Sequence, residues 1–161
     1  VSPFQINSRT PTPILIKIAP DLLFEAVDEI LELVVARKIS GIVATNTTIS
    51  RPSANDSTSQ KVYSETGGLS GKPLRETSTK IIRHIFRQTR GQLPIIGVGG
   101  IFNADDAWEK IVAGASLVQI YTGLVFEGPG IIKKIVDGLT QQMKTKGIKN
   151  LSSAIGSILQ R

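Results

Sequence analysis

The sequence predicts an α/β fold, and within it the last four units of a (β/α)8 barrel. Two observations carry this. Short apolar runs alternate four times with helix-patterned segments, strand then polar loop then helix. Such alternation implies a parallel sheet with right-handed crossovers. The last two runs, residues 94–100 and 116–123, both stop at glycine or hydroxyl residues that let a ligand approach the backbone. In an eight-unit barrel the loops after the seventh and eighth strands form the usual phosphate site. The pair therefore marks a phosphate-bearing ligand and places these four units at the end of the barrel.

The elements follow in order. Residues 14–19 form an apolar run interrupted by Lys17, the first strand. Pro20 and Asp21 supply helix-start signals, and Leu22, Leu23, Ala26, Val27, Ile30, Leu31, Val34 and Val35 recur at the spacing of one helix face. Residues 41–44 form the second strand and end at Thr45, Asn46, Thr47 and Thr48. Residues 50–70 read as a long polar loop rich in Ser, Thr, Asn and Gly, the composition and length of a lid or binding loop. Pro73 precedes a second helix with Ile81, Ile82, Ile85 and Phe86 inward, and His84 on its solvent side or rim. Residues 94–100 make the third strand. Asn103 caps a third helix, Asp105 and Asp106 suit its dipole, and Trp108 is a packing residue. Residues 117–121 make the fourth strand. Pro129 begins a helix with Ile132, Ile135, Val136 and Leu139 inward, and Asn150 caps a short terminal one. Ile16, Val43 and Val118 are expected to point into the barrel.

Bulk properties set limits. With 161 residues and 40% hydrophobic content the chain can bury one core. It has no cysteine, which excludes disulfides and thiolate metal sites. The net charge is +6, but the basic residues are dispersed apart from Lys144, Lys146 and Lys149, and aromatics are few. That is not the clustered basic face of a nucleic-acid binder, so no nucleic-acid partner is expected. An anionic ligand or lipid remains compatible with the charge. No apolar run is long enough to span a bilayer. The chain opens at Val1 rather than methionine, which reads as a fragment.

Chemistry in such barrels sits at the C-terminal strand ends. Lys17 inside an apolar strand is costly unless it meets an anion; the plain alternative is a lysine reaching out to the rim. The Thr45–Thr48 stretch offers hydroxyl and amide groups, or simple turn chemistry. Gly67, Gly68 and Gly71 either cradle a ligand or end the long loop. No carboxylate pair, metal cluster or nucleophile–histidine set is visible, so no metal is expected. A lysine, neutral donors and a phosphate nest suit a site where a cofactor supplies the chemistry.

At these residues the chain resembles dihydroorotate dehydrogenase. The motifs are KIAPD at 17–21, ATNTT at 44–48, GGLSGKPL at 67–74, GVGG at 97–100 and AGASLVQIYT at 113–122. The wording is most similar to the quinone-linked class 2 type, and the resemblance runs from about Ile14 to Ile155. It implies FMN as cofactor, oxidation of dihydroorotate to orotate in pyrimidine (UMP) synthesis, and quinone as electron acceptor. It also implies peripheral membrane association through a missing N-terminal segment. The location would be the cytoplasmic side of a bacterial plasma membrane, or the mitochondrial inner membrane.

Residue by residue, the resemblance makes Lys17 the lysine at the flavin ring, where a cation offsets the charge of reduced flavin. Thr45, Gly71, Gly99, Gly100, Tyr121 and Thr122 fall on flavin-binding positions, the last three near the phosphate. Asn46 and Thr47 match the residues that hydrogen-bond the orotate ring. The family's catalytic base is a serine in the first half of the barrel, which this chain lacks, and Ser70 does not replace it. Residues 1–161 are thus expected to be the C-terminal half of an FMN-binding TIM-barrel domain, inactive alone. Two other readings stand beside this one: another phosphate-binding TIM-barrel enzyme, and a non-catalytic half-barrel.

Overall fold

The computed structural model describes residues 12–53 and 56–159. At its centre four parallel strands pair in chain order: β1 (Leu15–Ile18), β2 (Gly41–Ala44), β3 (Ile95–Val98) and β4 (Leu117–Gln119). Their ends are level. Ile18 lies opposite Ala44, Ala44 opposite Gly97, and Val98 opposite Gln119. The segment after each strand therefore emerges on one rim.

Helix α1 (Phe24–Ala36) connects β1 to β2, and α4 (Ala104–Ala113) connects β3 to β4. Between β2 and β3 lie α2 (Ser57–Ser64) and α3 (Arg75–Gln88), with a 3-10 turn at Lys72–Leu74 leading into α3. After β4 come α5 (Thr122–Glu127), α6 (Gly130–Thr145) and two 3-10 turns, Leu151–Ala154 and Ser157–Leu159. The four βα units and parallel pairing are as the sequence predicts.

Side chains alternate across each strand, and the two faces differ. Ile18, Ile42 and Ile95 are buried under α1 and α3 with Val27, Leu31, Val34, Ile81, Ile82 and Ile85. Ile101, Ala107, Ile131 and Ile135 form a second cluster under α4 and α6. On the other face one paired row runs Lys17, Val43, Ile96, Leu117 across all four strands. Leu117 there is 63% exposed. A parallel sheet is ordinarily covered on both faces. Here helices cover one, and the bare face is the inner face of a partial barrel.

Several local expectations need correcting. Ile16 and Val118 share the parity of the helix-covered residues and pack against those clusters; of the three expected inward, only Val43 lies in the Lys17 row. Helix α1 starts at Phe24, because the Asp21 carboxylate is drawn to the loop after β2, accepting from Thr48 Oγ1 and from the Ile49 N–H at 3.2 Å. Leu23 and Val35 face outward at its start and along it, as do Ile132 and Val136 on α6, where Ile135 is buried as expected and Ile131 joins it. The polar loop contains α2, capped by Asp56, whose carboxyl accepts from the Ser59 N–H and sits below its ordinary range for that reason. Of the two positions expected for His84, the rim holds and the open solvent face does not: it is half-buried. Its Nε2 lies 2.7 Å from the Asp28 carboxylate and its ring stacks on Phe24, joining α3 to α1. Tyr121 and Thr122 leave the strand and start α5.

Helices α3 and α4 are joined by a cluster of charges. Arg75 pairs with Asp106 and Glu109, each at 2.6 Å. The fully buried Lys110 donates to the Arg75 carbonyl at 2.5 Å and to Thr79 Oγ1 at 2.6 Å. The Thr79 hydroxyl in turn donates to Glu109 Oε1 at 2.6 Å. Burial works against the Glu109 charge, but these hydrogen bonds outweigh it and hold the carboxyl below its usual range. Burial pushes Lys110 down to about 8 against the pull of Glu109. Below that value both folded and unfolded chains carry the proton and the full burial cost applies. Between it and the ordinary lysine range only the unfolded chain holds the proton, so this group's contribution to stability rises with pH. Relative to Lys110→Met, the unsubstituted protein should gain at most about 1.4 kcal/mol per pH unit above pH 8 in denaturant unfolding. A difference that stays flat from pH 7 to 10 would show that Lys110 is not depressed.

Candidate functional site

The rim formed by the strand ends encloses a cavity of about 280 Å³. The loop after β2 forms its middle wall. The Thr45 N–H donates to the Val98 carbonyl at 3.0 Å and the Asn46 N–H to the Ile18 carbonyl at 2.7 Å. The segment is thereby bolted to both neighbouring strands. Asn46 Oδ1 accepts from the Thr47 N–H at 2.9 Å, which orients the amide and leaves its NH₂ as a donor. Thr45 is almost wholly buried, yet its Oγ1 has no partner. A buried hydroxyl without a partner costs about 1–3 kcal/mol, so a ligand atom that meets it restores that loss.

The loop after β3 carries the second wall. Gly99 (φ +124°) and Gly100 (φ +69°) both adopt conformations that side chains disfavour. A Cβ on Gly100 would lie 2.6–2.8 Å from the Arg75 backbone and side chain, so only glycine lets this loop sit against the start of α3. Both glycines are buried, and neither backbone N–H meets another described group. The loop is fixed from behind. Ser78 Oγ donates to the Val98 carbonyl at 2.6 Å, and Asp106 Oδ2 accepts from the Phe102 N–H at 2.9 Å. Asp106 is the residue that Arg75 also grips. Successive backbone N–H groups on a glycine turn of this kind can form an anion-binding concavity.

Most residues singled out from the sequence line this one cavity; Thr48, Gly67 and Gly68 do not. Lys17 enters from β1; Thr45, Asn46 and Thr47 from β2; Gly71 from the segment before α3. Gly99 and Gly100 follow β3, and Tyr121 and Thr122 follow β4. Lys17 is the only charged side chain in the lining among the described residues, and it has no ion-pair partner there. The cavity is therefore cationic at one end, neutral and hydrogen-bonding along its middle, and amide-lined at the other. Asp21, the one acid noted near a strand end, is not in the lining; it holds Thr48.

Sequence reasoning missed part of the lining. Leu74, Ile101, Gln119, Ile120 and Gly123 contribute to it, and Ser70 accepts from Thr122 Oγ1 at 2.9 Å across it. Asp106 was legible only as a helix-dipole residue. Its grip on Phe102 is set by tertiary contact, and no spacing announces it.

The arrangement fits a long anionic ligand with a phosphate at the glycine end: a paired set of free N–H donors, an orphaned buried hydroxyl and an unpaired lysine. These are residues that could hold a flavin mononucleotide. Comparisons with known proteins point the same way. The family model described as dihydroorotate dehydrogenase matches residues 4–143. A protein of Trichodesmium erythraeum named dihydroorotate dehydrogenase (quinone) is 54% identical over 148 residues, covering 89% of this chain and 39% of that protein. One of the same name from Gloeobacter violaceus is 48% identical over 152 residues, covering 94% and 42%. The chain thus spans about two fifths of the length of these curated relatives. Among solved structures, DHODH of Eimeria tenella in complex with ferulenol superposes with a TM-score of 0.86 at 36% identity, covering 96% of this chain and 41% of that one.

The orphaned hydroxyl gives a direct check. Thr45→Val removes it at nearly constant shape and should stabilise the ligand-free protein by about 1–3 kcal/mol in thermal or denaturant unfolding. Destabilisation of similar size would mean that the hydroxyl is already satisfied.

Proposed function

The chain belongs to the dihydroorotate dehydrogenase family, and on that premise we propose that it is the C-terminal half of an FMN-binding TIM-barrel oxidoreductase. The protein oxidises dihydroorotate to orotate in pyrimidine (UMP) biosynthesis and passes the electrons to quinone. The observation that carries this reading is the convergence of residues from four separate strand ends on a single cavity whose only charged lining residue, among the described residues, is Lys17.

FMN, when bound, supplies the two-electron oxidising centre. The chain's own residues bind and orient. The free N–H groups of Gly99 and Gly100, beside Tyr121 and Thr122, hold the phosphate. Thr45 and Gly71, from β2 and the segment before α3, would hold the rest of the flavin. Lys17 supplies positive charge where negative charge grows during the reaction, an effect larger in the transition state than in the ground state. Asn46 offers its amide NH₂ and Thr47 its hydroxyl to the substrate ring, an imide that both donates and accepts. The base that takes the substrate's proton is a serine on a loop outside these residues, and Ser70 is occupied by Thr122.

Quinones are lipid-soluble, and the curated relatives carry quinone in their names. Membrane association is peripheral and resides outside residues 1–161; among the described residues no helix is long and apolar enough to cross a membrane. The surface is that of the bacterial plasma membrane facing the cytoplasm, or the mitochondrial inner membrane.

Purified full-length protein should be yellow, bleach anaerobically with dihydroorotate and recover its colour with quinone. Flavin that dihydroorotate does not reduce would overturn the reading, and flavin-free protein without turnover would favour a non-catalytic half-barrel. Lys17→Ala should slow the bleaching step by roughly 10²–10³ while orotate affinity changes little. Stopped-flow absorbance separates the two, and an unchanged reduction rate removes Lys17 from the mechanism.

A further inference from the structure

The loop between β2 and α3 is held by one side chain to which none of the foregoing chemistry assigns a role. Arg51 follows the Asn46–Thr47 pair by a few residues, and its guanidinium is spent entirely on backbone carbonyls. Nε donates to Tyr63 at 3.1 Å, Nη1 to Thr48 at 3.1 Å and Ser50 at 3.3 Å, and Nη2 to Gly67 at 2.6 Å and Glu65 at 3.3 Å. These carbonyls belong to two separate stretches, the one leaving β2 and the one returning toward α3. Among the described residues no carboxylate pairs with it, so this fork is a clamp between segments rather than an ion pair.

The clamp closes directly beside Thr47. Next to the gripped Gly67, a Cβ on Gly68 would fall 2.0 Å from Thr47 Oγ1, so the returning strand lies against that hydroxyl with no slack. One residue on, Thr48 and Leu69 exchange backbone hydrogen bonds at 3.0 and 2.8 Å. Farther along, Gly71 is held independently: its carbonyl accepts from the Leu74 N–H at 3.0 Å, and Ser70 is tied to Thr122. Releasing Arg51 therefore leaves the wall around Thr47 tied only by the Thr48–Leu69 pair, while the wall around Gly71 stays anchored.

We propose that Arg51 is a positioning residue for substrate recognition: it fixes the Gly67–Gly68 wall against Thr47 so that the Asn46–Thr47 pair meets the substrate ring in one geometry. The inference rests on the substrate reading given above. It requires the planar five-donor fork, which lysine cannot reproduce.

The test uses full-length holoenzyme with Arg51→Lys and Arg51→Ala. Orotate titration of the unsubstituted enzyme, followed by the flavin spectrum, comes first; no spectral change there rejects the substrate reading itself, whatever Arg51 does. Given binding, both variants should raise the KM for dihydroorotate and the Kd for orotate by about 10- to 100-fold, the cost of a small misplacement of a binding wall. The kcat at saturation and the flavin content should stay within about threefold, and added guanidinium should restore part of the affinity in Arg51→Ala. If Arg51→Ala does not fold, Arg51→Lys alone decides. An unchanged KM overturns the proposal. So does a loss of flavin with no change in KM, which would make Arg51 a general structural prop.

Discussion

Level pairing of four parallel strands is the constraint on which the rest depends. Because Ile18, Ala44, Gly97 and Gln119 stop at nearly the same height, the residues that follow them share one rim. Hydrogen bonding fixes this height to within a residue, since a parallel ladder slipped by one residue turns every side chain to the opposite face. Such a slip would bury Lys17 beneath α1 and α3 and carry Ile18 to the open face. The apolar packing under the helices and the placement of the lysine are two consequences of one register.

The helices do more than cover the sheet. The loop after β3 owes its shape to α3 and α4 behind it. Ser78 grips its strand end, Asp106 grips Phe102, and the Arg75 backbone leaves no room for a side chain at Gly100. Arg75, Glu109, Thr79 and Lys110 lock those two helices together through polar contacts, of which the Lys110–Thr79 bond is buried. Buried polar networks are costly unless fully satisfied, and this one is spent where two free backbone N–H groups must be held rigid. Rigidity there matters because donors fixed before the ligand arrives do not have to be ordered by it.

Much of this was legible in the sequence, for identifiable reasons. Apolar runs bounded by proline, glycine or hydroxyl residues gave the four strands, and Asn103 capped its helix as expected, accepting from the Asp106 N–H. The cavity lining was legible where the motif residues follow strands directly, as at Thr45–Thr47 and Gly99–Gly100. What failed depended on partners distant in the chain. Asp21 looked like a helix-start residue because spacing cannot show Thr48 competing for its carboxylate. His84 could be placed only on the solvent side or rim because its partners, Asp28 and Phe24, lie on another helix. Arg51 sat unremarked in a polar stretch; an arginine bonded to carbonyls leaves no compositional trace. Leu23, Val35, Ile132 and Val136 were read as inward from periodicity, which fixes an apolar face but not how wide a part of it the sheet covers.

The central claim is that the glycine turn after β3 holds the phosphate of a flavin mononucleotide in this cavity. Its most direct measurement is a fluorescence titration of flavin-stripped protein with FMN and with riboflavin, which differ only in that phosphate. Charge-assisted bonds to two preformed amides predict that FMN binds about 10- to 100-fold more tightly. Equal affinity for the two flavins would contradict the account.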